Sequence, residues 1–297
     1  MGRRWVVAAA LLLPAGACKA ELGDGPADAA RSSDGPQMNV NVDAAPDGTT
    51  PLGPWSTPAK IPGGDSTVDE DDCTLSSNEL ELYFKRNDGG DNNLYVMTRT
   101  SVTGAWSTPA AITILNSTAG EESPRLSPDN LTMYFGRAGD IYKTTRTAVG
   151  QPWTAPSAVA VLNTANVTEK WAAVCSNGYV IVSRANGTNG QDLYEGTITA
   201  GAPTNLTQLD TTSAEQGTLL TADCLGLYFQ SNRTNAQFDI YLATRTSLTA
   251  QWSNPTALTD FNTPTYNEED PWIAPTGRTF VFASNASGNK DLYISTR

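Results

Sequence analysis

Five tyrosines recur along the chain at almost even spacing, and each follows an acidic or amide residue and then an aliphatic residue. They are Tyr95, Tyr142, Tyr194, Tyr241 and Tyr293, separated by 47, 52, 47 and 52 residues. A period of this length is typical of repeat proteins, in which each small unit buries its faces against its neighbours. The spacing therefore predicts five copies of one structural unit.

Each unit contains short runs of β-branched and aromatic residues between polar turns, a pattern typical of β-strands. The first segment of each unit begins with glutamate and ends with an aliphatic residue; these segments span residues 70–75, 121–126, 169–174, 215–220 and 268–273. A second segment is centred on an aromatic or aliphatic triplet, and the repeated tyrosine marks a third. Sustained helical periodicity is absent from the sequence.

In four of the five units a fourth segment opens with tryptophan and carries a proline three residues later, as in Trp106-Ser-Thr-Pro109; the segment near Pro203 lacks the tryptophan. Because proline cannot donate to a neighbouring strand, this segment is expected at the outer edge of its sheet. Four strands in five units predict an all-β fold, a five-bladed β-propeller with four-stranded antiparallel blades. The repeats begin with a fourth segment near Trp55 and end with a third near Arg297. We therefore expect the N-terminal strand to complete the last blade and close the ring.

The first 53 residues differ from the repeats. Residues 1–17 combine two arginines, an apolar stretch and small residues before Cys18, which is the pattern of a secretory signal peptide. The cysteine after Ala-Gly-Ala resembles a bacterial lipobox. This resemblance implies lipidation of Cys18, with Lys19 favouring the outer membrane; ordinary signal cleavage nearby is the alternative. Residues 18–53 are expected to form a disordered tether, which leaves residues 54–297 for the propeller.

Charge and side-chain chemistry restrict the possible functions. The formal net charge is −12, and loss of Arg3 and Arg4 with the signal peptide changes it to −14, which disfavours nucleic acid and anionic lipid as partners. The sequence has no histidine and no Cys-x-x-Cys pair. Neither a zinc site nor a histidine-based triad is therefore expected, and no cofactor or other metal is predicted.

The three remaining cysteines are Cys73, Cys175 and Cys224. Cys175 and Cys224 both fall near the turn after the first strand, in neighbouring units. A disulfide between them is geometrically plausible, and Cys73 is expected to be a small buried residue.

The segment from Glu121 to Phe135, followed by Asp140-Ile-Tyr142, resembles the WD-like β-propeller repeat of TolB-type proteins. Similar repeats occur in many bacterial envelope lipoproteins. The resemblance extends over all five units, about residues 54–297. It implies a propeller that serves as a binding scaffold, generally for other proteins.

Each predicted first strand starts with glutamate, and these strand starts are expected around one mouth of the central channel. The ring comprises Glu70, Glu121, Glu169, Glu215 and Glu268. One interpretation is an acidic ligand-binding face. The other is structural, because an arginine near the end of the second strand could pair with the glutamate of its own blade. Those arginines are Arg86, Arg137, Arg184 and Arg233.

The fifth unit breaks this pattern. Glu268, Glu269 and Asp270 place three carboxylates together, and the second strand supplies no arginine. Unpaired carboxylates raise one another's pKa and favour a cation or a basic partner. Trp272 follows, and Trp171 holds a nearby position in the third unit. Both tryptophans are candidates for stacking on a sugar ring or anchoring a protein, unless they fill the channel mouth.

The leading functional prediction is a non-catalytic, envelope-anchored propeller, expected to be a monomer, that presents its acidic channel mouth to another envelope protein or a glycan. It touches the membrane only through its lipid, on either the periplasmic or the outer side. The alternative is a glycosidase, because five-bladed propellers also carry arabinan- and xylan-cleaving enzymes; these need two carboxylates in distinct environments. A third possibility is a lectin with similar sugar pockets in several blades.

Overall fold

The structure is a computed structural model and describes residues 51–185 and 190–297. These residues form twenty β-strands and no helix, and so this part of the chain contains no helix that could cross a membrane. The predicted signal peptide, Cys18 and residues 19–50 of the predicted tether lie outside the described residues.

The strands form five sheets of four. The first strands of the blades are β2 (Glu70–Leu75), β6 (Glu121–Leu126), β10 (Glu169–Val174), β14 (Glu215–Leu220) and β18 (Glu268–Ile273). The second strands are β3 (Glu81–Asp88), β7 (Thr132–Arg137), β11 (Tyr179–Ala185), β15 (Gly226–Ser231) and β19 (Thr279–Ser284). The third strands are β4 (Asp91–Thr98), β8 (Asp140–Thr145), β12 (Gln191–Thr197), β16 (Asp239–Thr244) and β20 (Asp291–Thr296). The outer strands are β5 (Ala110–Ala111), β9 (Ser157–Ala158), β13 (Thr204–Asn205), β17 (Thr256–Ala257) and β1 (Ala59–Lys60).

Blades one to four follow chain order, and the fifth is built as β18-β19-β20-β1. The first strands contact one another around a closed ring, from β2 through β6, β10, β14 and β18 back to β2. Apolar side chains of adjacent sheets fill the space between blades, where Phe84, Phe135, Phe229 and Phe280 are buried. The predicted five-bladed, four-stranded antiparallel propeller is confirmed.

The ring closes through the N-terminal strand, as expected. Ala59 pairs with Ile294 and Lys60 with Tyr293, and Lys60 Nζ lies 2.7 Å from Asp291 Oδ2. The paired strand is only two residues long, whereas the sequence predicted one from about Trp55 to Ile61. Proline immediately before the short outer strand, as at Pro58, has no N–H to donate, which limits pairing at this edge.

In most blades the repeated tyrosine packs against an arginine that lies on the second strand or just beyond it. In four blades the guanidinium lies over the tyrosine ring, a cation–π arrangement. The distances from the guanidinium carbon to the ring centroid are 4.9 Å for Arg86 and Tyr95, 4.8 Å for Arg137 and Tyr142, 4.5 Å for Arg184 and Tyr194, and 5.1 Å for Arg233 and Tyr241. Blade five has no arginine at this position; Tyr293 stacks on Phe282, as Tyr95 stacks on Phe84 and Tyr241 on Phe229.

In the four blades whose fourth segment has a tryptophan, this ring packs under a second arginine, which directly follows a third strand. The guanidinium-to-ring distances are 4.4 Å for Arg99 on Trp106, Arg146 on Trp153 and Arg245 on Trp252, and 4.2 Å for Arg297 on Trp55. The last pair joins the two ends of the propeller. These tryptophans therefore hold the outer segments onto their blades.

Candidate functional site at the channel mouth

The glutamate ring predicted as a binding face lies inside the blades. Glu70, Glu121, Glu169, Glu215 and Glu268 are all buried. In blades one to four an arginine donates to the carboxylate, at 2.8 Å for Arg86, 2.7 Å for Arg137, 2.9 Å for Arg184 and 3.3 Å for Arg233. Serine or threonine upstream of each strand completes the set, as when Ser117 Oγ donates to Glu121 at 2.5 Å. These contacts match the structural interpretation of the ring.

The next residue of each first strand faces the channel instead. Asp71, Glu122, Lys170, Gln216 and Glu269 line a recess of about 220 Å³ at the end of the channel where the first strands begin. The third residues of three first strands, Asp72, Trp171 and Asp270, also line the recess. The remaining lining residues are Lys85 and Gln230 from second strands and Lys290 from a loop. Of the residues predicted from the sequence, the recess brings together Glu269, Asp270 and Trp171.

A β-bulge repeated in all five blades explains this arrangement. The third residue of every first strand has a left-handed backbone, with φ between 47° and 64°; these residues are Asp72, Ser123, Trp171, Gly217 and Asp270. The pairing with the second strand shifts at the same point in each blade. Because non-glycine residues rarely adopt this conformation, a bulge that repeats in four blades without glycine indicates a constrained backbone around the channel.

The bulge residues form a buried network across the channel. Trp171 Nε1 donates to Asp270 Oδ1 at 2.8 Å and to Asp72 Oδ1 at 3.0 Å. The Asp72 N–H donates to Asp270 Oδ2 at 2.9 Å, and the Ser123 N–H donates to Asp72 Oδ2 at 3.1 Å. The network therefore ties blades one, two, three and five together at the floor of the recess.

Arg125 lies beneath this network and is almost completely buried. Its guanidinium donates to the carbonyls of Thr218 and Cys73, both at 2.8 Å, and Nη2 lies 3.7 Å from Asp270 Oδ1. A buried guanidinium needs such acceptors because its charge cannot be neutralised by losing a proton. Arg125 thus links blades two, one and four and faces the carboxylates of the floor.

Three lysines pair with the carboxylates of the recess wall. Lys85 Nζ lies 2.7 Å from Asp71 and 3.5 Å from Asp72, and Lys170 Nζ lies 2.8 Å from Glu122. Lys290 contacts both Glu269 and Asp71, the latter at 3.1 Å. The oxygens of Asp71, Glu269 and Asp270 are close enough together to hold a metal ion. The Lys290 ammonium already bridges two of these carboxylates, so the donor set is poorly suited to a metal.

The two floor carboxylates have opposite pKa shifts. Burial and the neighbouring charge of Asp72 raise the pKa of Asp270 well above its ordinary range. Burial acts in the same direction on Asp72, but the charges of Lys85 and Arg125 outweigh it and lower the pKa of Asp72. Burial likewise raises the pKa of Asp71 and of Glu269. The recess therefore contains carboxylates in distinct electrostatic environments.

Trp272 lies elsewhere, at the opposite end of the channel. It lines an apolar cavity of about 390 Å³ formed by the last residues of the first strands and the turns that follow them, including Leu126, Leu219 and Ile273. Trp171 and Trp272 thus do not share a surface, because they occupy the third and fifth positions of their strands, on either side of the network.

The cysteines have the arrangement considered plausible from the sequence. Cys175 and Cys224 form a disulfide with a Cα–Cα distance of 5.4 Å, which joins blades three and four. Cys73 is a free, buried thiol. It belongs to the floor rather than to a reactive surface, since burial raises its pKa strongly and disfavours the thiolate.

Sequence reasoning missed Asp71, Asp72, Glu122 and the three lysines. A polar residue after the repeated glutamate was visible in every unit, but its direction depends on the bulge. Lys85 and Lys290 approach from the second strand and from the loop before β20, so local sequence spacing does not connect them to the recess.

Comparisons with known proteins establish similarity of fold. No protein-family profile matches the chain, and no curated protein sequence matches it. Among solved structures, the chain is similar to a putative TolB from Agrobacterium tumefaciens, with a TM-score of 0.50, 17% identity and 76% of each chain covered. It is also similar to the catalytic domain of a GH62 alpha-L-arabinofuranosidase from Coprinopsis cinerea, with a TM-score of 0.56, 11% identity and coverage of 82% of this chain and 96% of that chain. An endo-arabinase from Bacteroides thetaiotaomicron gives a TM-score of 0.56, 11% identity and coverage of 80% and 96%. At these identities the comparisons show a shared propeller fold and leave the function to be argued from the recess.

Proposed function

We propose that the protein is a non-catalytic binding propeller that holds one unit of an envelope polymer, most simply a sugar residue, in the polar recess. Carboxylates, ammonium groups and the amides of Gln216 and Gln230 surround a small space. Such groups can accept from and donate to neighbouring hydroxyls of one sugar ring. The size of the recess favours a single polar unit over a protein surface, since a protein partner would have to insert one side chain.

The pairing of the recess carboxylates carries this proposal. Asp71, Glu122 and Glu269 are each bound to a lysine. Each oxygen of Asp270 accepts one hydrogen bond: Oδ1 from the Trp171 indole N–H and Oδ2 from the Asp72 backbone N–H. A general acid has to direct its proton at the leaving group, and a floor held by its own hydrogen bonds is better suited to fixed recognition.

We further propose that the predicted signal peptide, lipidated Cys18 and tether present the propeller in the bacterial envelope, attached to the outer membrane. Radiolabelled palmitate fed to the expressing cells tests this directly. Label in the full chain and its loss in Cys18→Ser supports the anchor, whereas equal labelling of the two forms contradicts it.

Binding can be tested with the full chain on an array of arabino-oligosaccharides, xylo-oligosaccharides and peptidoglycan fragments. We expect retention of one glycan class and a loss of about 10-fold or more in Glu269→Gln and Lys170→Met, since hydrogen bonds to charged groups contribute about 1.5–3 kcal/mol. Asp260→Asn, at an exposed position away from the recess, serves as the matched control. Retention that is equal in all four proteins contradicts the assignment, and capture of a protein but no glycan supports the protein alternative.

A glycosidase remains the second candidate because the pKa values of Asp270 and Asp72 are shifted in opposite directions. Paired carboxylates of this kind can serve as acid and base. Aryl-arabinosides and aryl-xylosides test it with Asp270→Asn as the comparison. If the wild type hydrolyses these substrates and the variant does not, the protein is a glycosidase and the binding proposal is wrong. If the wild type shows no turnover, the result supports the binding proposal.

A further inference from the structure

In three blades an asparagine fastens the connecting segment onto the third strand. Asn116, Asn163 and Asn262 each accept, through Oδ1, the N–H of a third-strand residue, at distances of 2.8, 2.7 and 2.8 Å. Each asparagine also donates, from Nδ2, to the carbonyl of that same residue, at 3.1, 3.1 and 2.9 Å. The partners on the third strands are Leu94, Ile141 and Ile240. The amide needs both its acceptor and its donor for this two-bond clasp.

Blade three has aspartate at the equivalent position. The Leu193 N–H donates to Asp210 Oδ1 at 3.1 Å, but Oδ2 of Asp210 is buried and makes no hydrogen bond. Asp210 is identified as the equivalent of the asparagines by its position in the chain. In blades one, two and four the asparagine comes four residues after the residue whose N–H binds the same carbonyl, and Asp210 comes four residues after Leu206, whose N–H binds the Leu193 carbonyl at 2.8 Å. Oδ2 thus takes the place of the asparagine nitrogen.

In blade five a backbone carbonyl takes the place of the side-chain oxygen, because the Leu292 N–H donates to the Gly64 carbonyl at 2.8 Å. Blade three is therefore the blade in which the clasp depends on an ionisable group. An ionised carboxylate can only accept, so it cannot supply the second bond of the clasp.

The charges around Asp210 favour its protonated form. Asp192 on β12 and Glu215 at the start of β14 both face it, and their oxygens lie within 4.8 Å of an Asp210 oxygen. Arg233 is directed to the Leu209 carbonyl and to Glu215, at 2.8 and 3.3 Å. Burial raises the pKa of Asp210 to about 6; the charges of Asp192 and Glu215 act in the same direction, and the Leu193 N–H and the nearby Asn205 side chain oppose them.

We propose that blade three contains a proton-dependent clasp. When Asp210 is protonated, Oδ2 donates to the Leu193 carbonyl and reproduces the asparagine clasp of the other blades. When it is ionised, Oδ2 faces that carbonyl without a proton, and the segment between β13 and β14 is held by one bond fewer. This segment leads into β14, whose second residue, Gln216, lines the recess. The clasp is independent of which ligand the recess holds.

The direction of the pH dependence follows from proton binding. A folded-state pKa above the ordinary value of 3.8 means that the folded protein binds the extra proton between about pH 4 and pH 6. The stability contributed at Asp210 is therefore present at low pH and is lost as the pH rises through this window.

Reciprocal substitutions test the clasp. We expect Asp210→Asn to raise the Tm by about 2–4 °C at pH 8 and much less at pH 5, because the amide supplies the missing donor at any pH. We expect Asn163→Asp in blade two to lower the Tm at pH 8, with partial recovery at pH 5. Amide hydrogen exchange at Leu206 should slow in Asp210→Asn and should be faster in wild type at pH 8 than at pH 5, after correction for intrinsic exchange rates.

Three results would overturn the clasp. An Asp210→Asn shift that is equal at both pH values removes the proton dependence, and a lowered Tm in that variant at pH 8 shows that the amide does not fit. If Ca²⁺ raises the Tm of the wild type at pH 8 but not that of Asp210→Asn, the position binds a cation and not a proton. Measuring each variant as a difference from wild type at the same pH removes the titration of the other buried carboxylates.

Discussion

At the residue scale, one change of partner distinguishes blade five from blade four. Arg233 reaches Glu215 from two residues beyond Ser231, and Ala286 stands two residues beyond Ser284, the residue that pairs with Glu268. The local backbone at Ala286 is the same as at Arg233, because the N–H of each residue donates to the hydroxyl of the serine two residues before it. Blade five thus retains the site for an arginine but lacks the side chain.

Glu268 shows the consequence of the missing guanidinium. Burial raises its pKa to about 7, although Thr263 and Ser284 donate hydrogen bonds to it. A raised folded-state pKa means that stability is lost as the pH rises from about 4.5 to 7. The equivalent glutamate in blades one to four is paired with arginine. The repeated glutamate therefore does not indicate that the pairing of Glu268 is different.

We predict that Ala286→Arg stabilises the fold at pH 8. The added guanidinium can pair with the Glu268 carboxylate and lie over Tyr293, as Arg233 lies over Tyr241. We expect a gain of roughly 0.5–1 kcal/mol in the free energy of unfolding, since the pair remains partly solvated. Urea denaturation at pH 8 and pH 4 measures it, and the gain should vanish at pH 4, where Glu268 is protonated.

Ala286→Met is the matched control, because it adds a side chain of comparable length without the charge. A gain that is the same in both variants, or the same at both pH values, contradicts an ion pair with Glu268. It would attribute the effect to packing instead.

At the element scale, the N-terminal segment closes the ring through a short strand and the contacts beside it. The strand β1 contributes two paired residues. Three further backbone bonds flank it, each 2.8 Å long: the Ser56 N–H donates to the Thr296 carbonyl, the Ile61 N–H to the Leu292 carbonyl, and the Leu292 N–H to the Gly64 carbonyl. No chain connection joins this segment to β20, and its large side chain, Trp55, lies between Arg297 and the ring of Phe261. Closure should therefore depend on this tryptophan more than an internal blade depends on its own.

We predict that Trp55→Ala is more damaging than Trp106→Ala. Both tryptophans are half-buried and stack under an arginine, but Trp106 follows a strand already joined to its blade by the chain. We expect losses of about 2–3 kcal/mol for Trp55→Ala, below the range for a fully buried aromatic residue. Amide exchange should rise in β20 and β1 in Trp55→Ala alone. Equal losses with unchanged exchange in β20 contradict closure by this segment.

The elements also show how far the sequence could predict the site. Strand order and blade number followed from the tyrosine period and the tryptophan–proline segments. The bulge did not, because its third-position residues are Asp, Ser, Trp, Gly and Asp, four of which give no sign of a left-handed backbone. The repeated glutamate at the strand starts therefore directed attention to Glu70 and its equivalents, one residue before the positions that face the recess.

At the scale of the whole molecule, the propeller has two chemically different mouths. The network of Asp72, Asp270, Trp171 and Arg125 separates a charged recess from an apolar cavity. The sequence indicated an acidic end of the channel but not its three lysines, Lys85, Lys170 and Lys290, which face five carboxylates in the recess. Two of these lysines come from a second strand and a loop rather than from a first strand. Long-range contacts of this kind are set by the closed ring rather than by local spacing.

The central position of the recess predicts the number of binding sites. The propeller has one such recess, whereas a lectin with a pocket in each blade has several binding sites. Isothermal titration of the full chain with the oligosaccharide retained on the array, compared with Glu269→Gln, measures this most directly. We expect one site per chain, with an affinity that the substitution lowers about 10-fold or more. Several equivalent sites, or one site whose affinity is unchanged in Glu269→Gln, would contradict it.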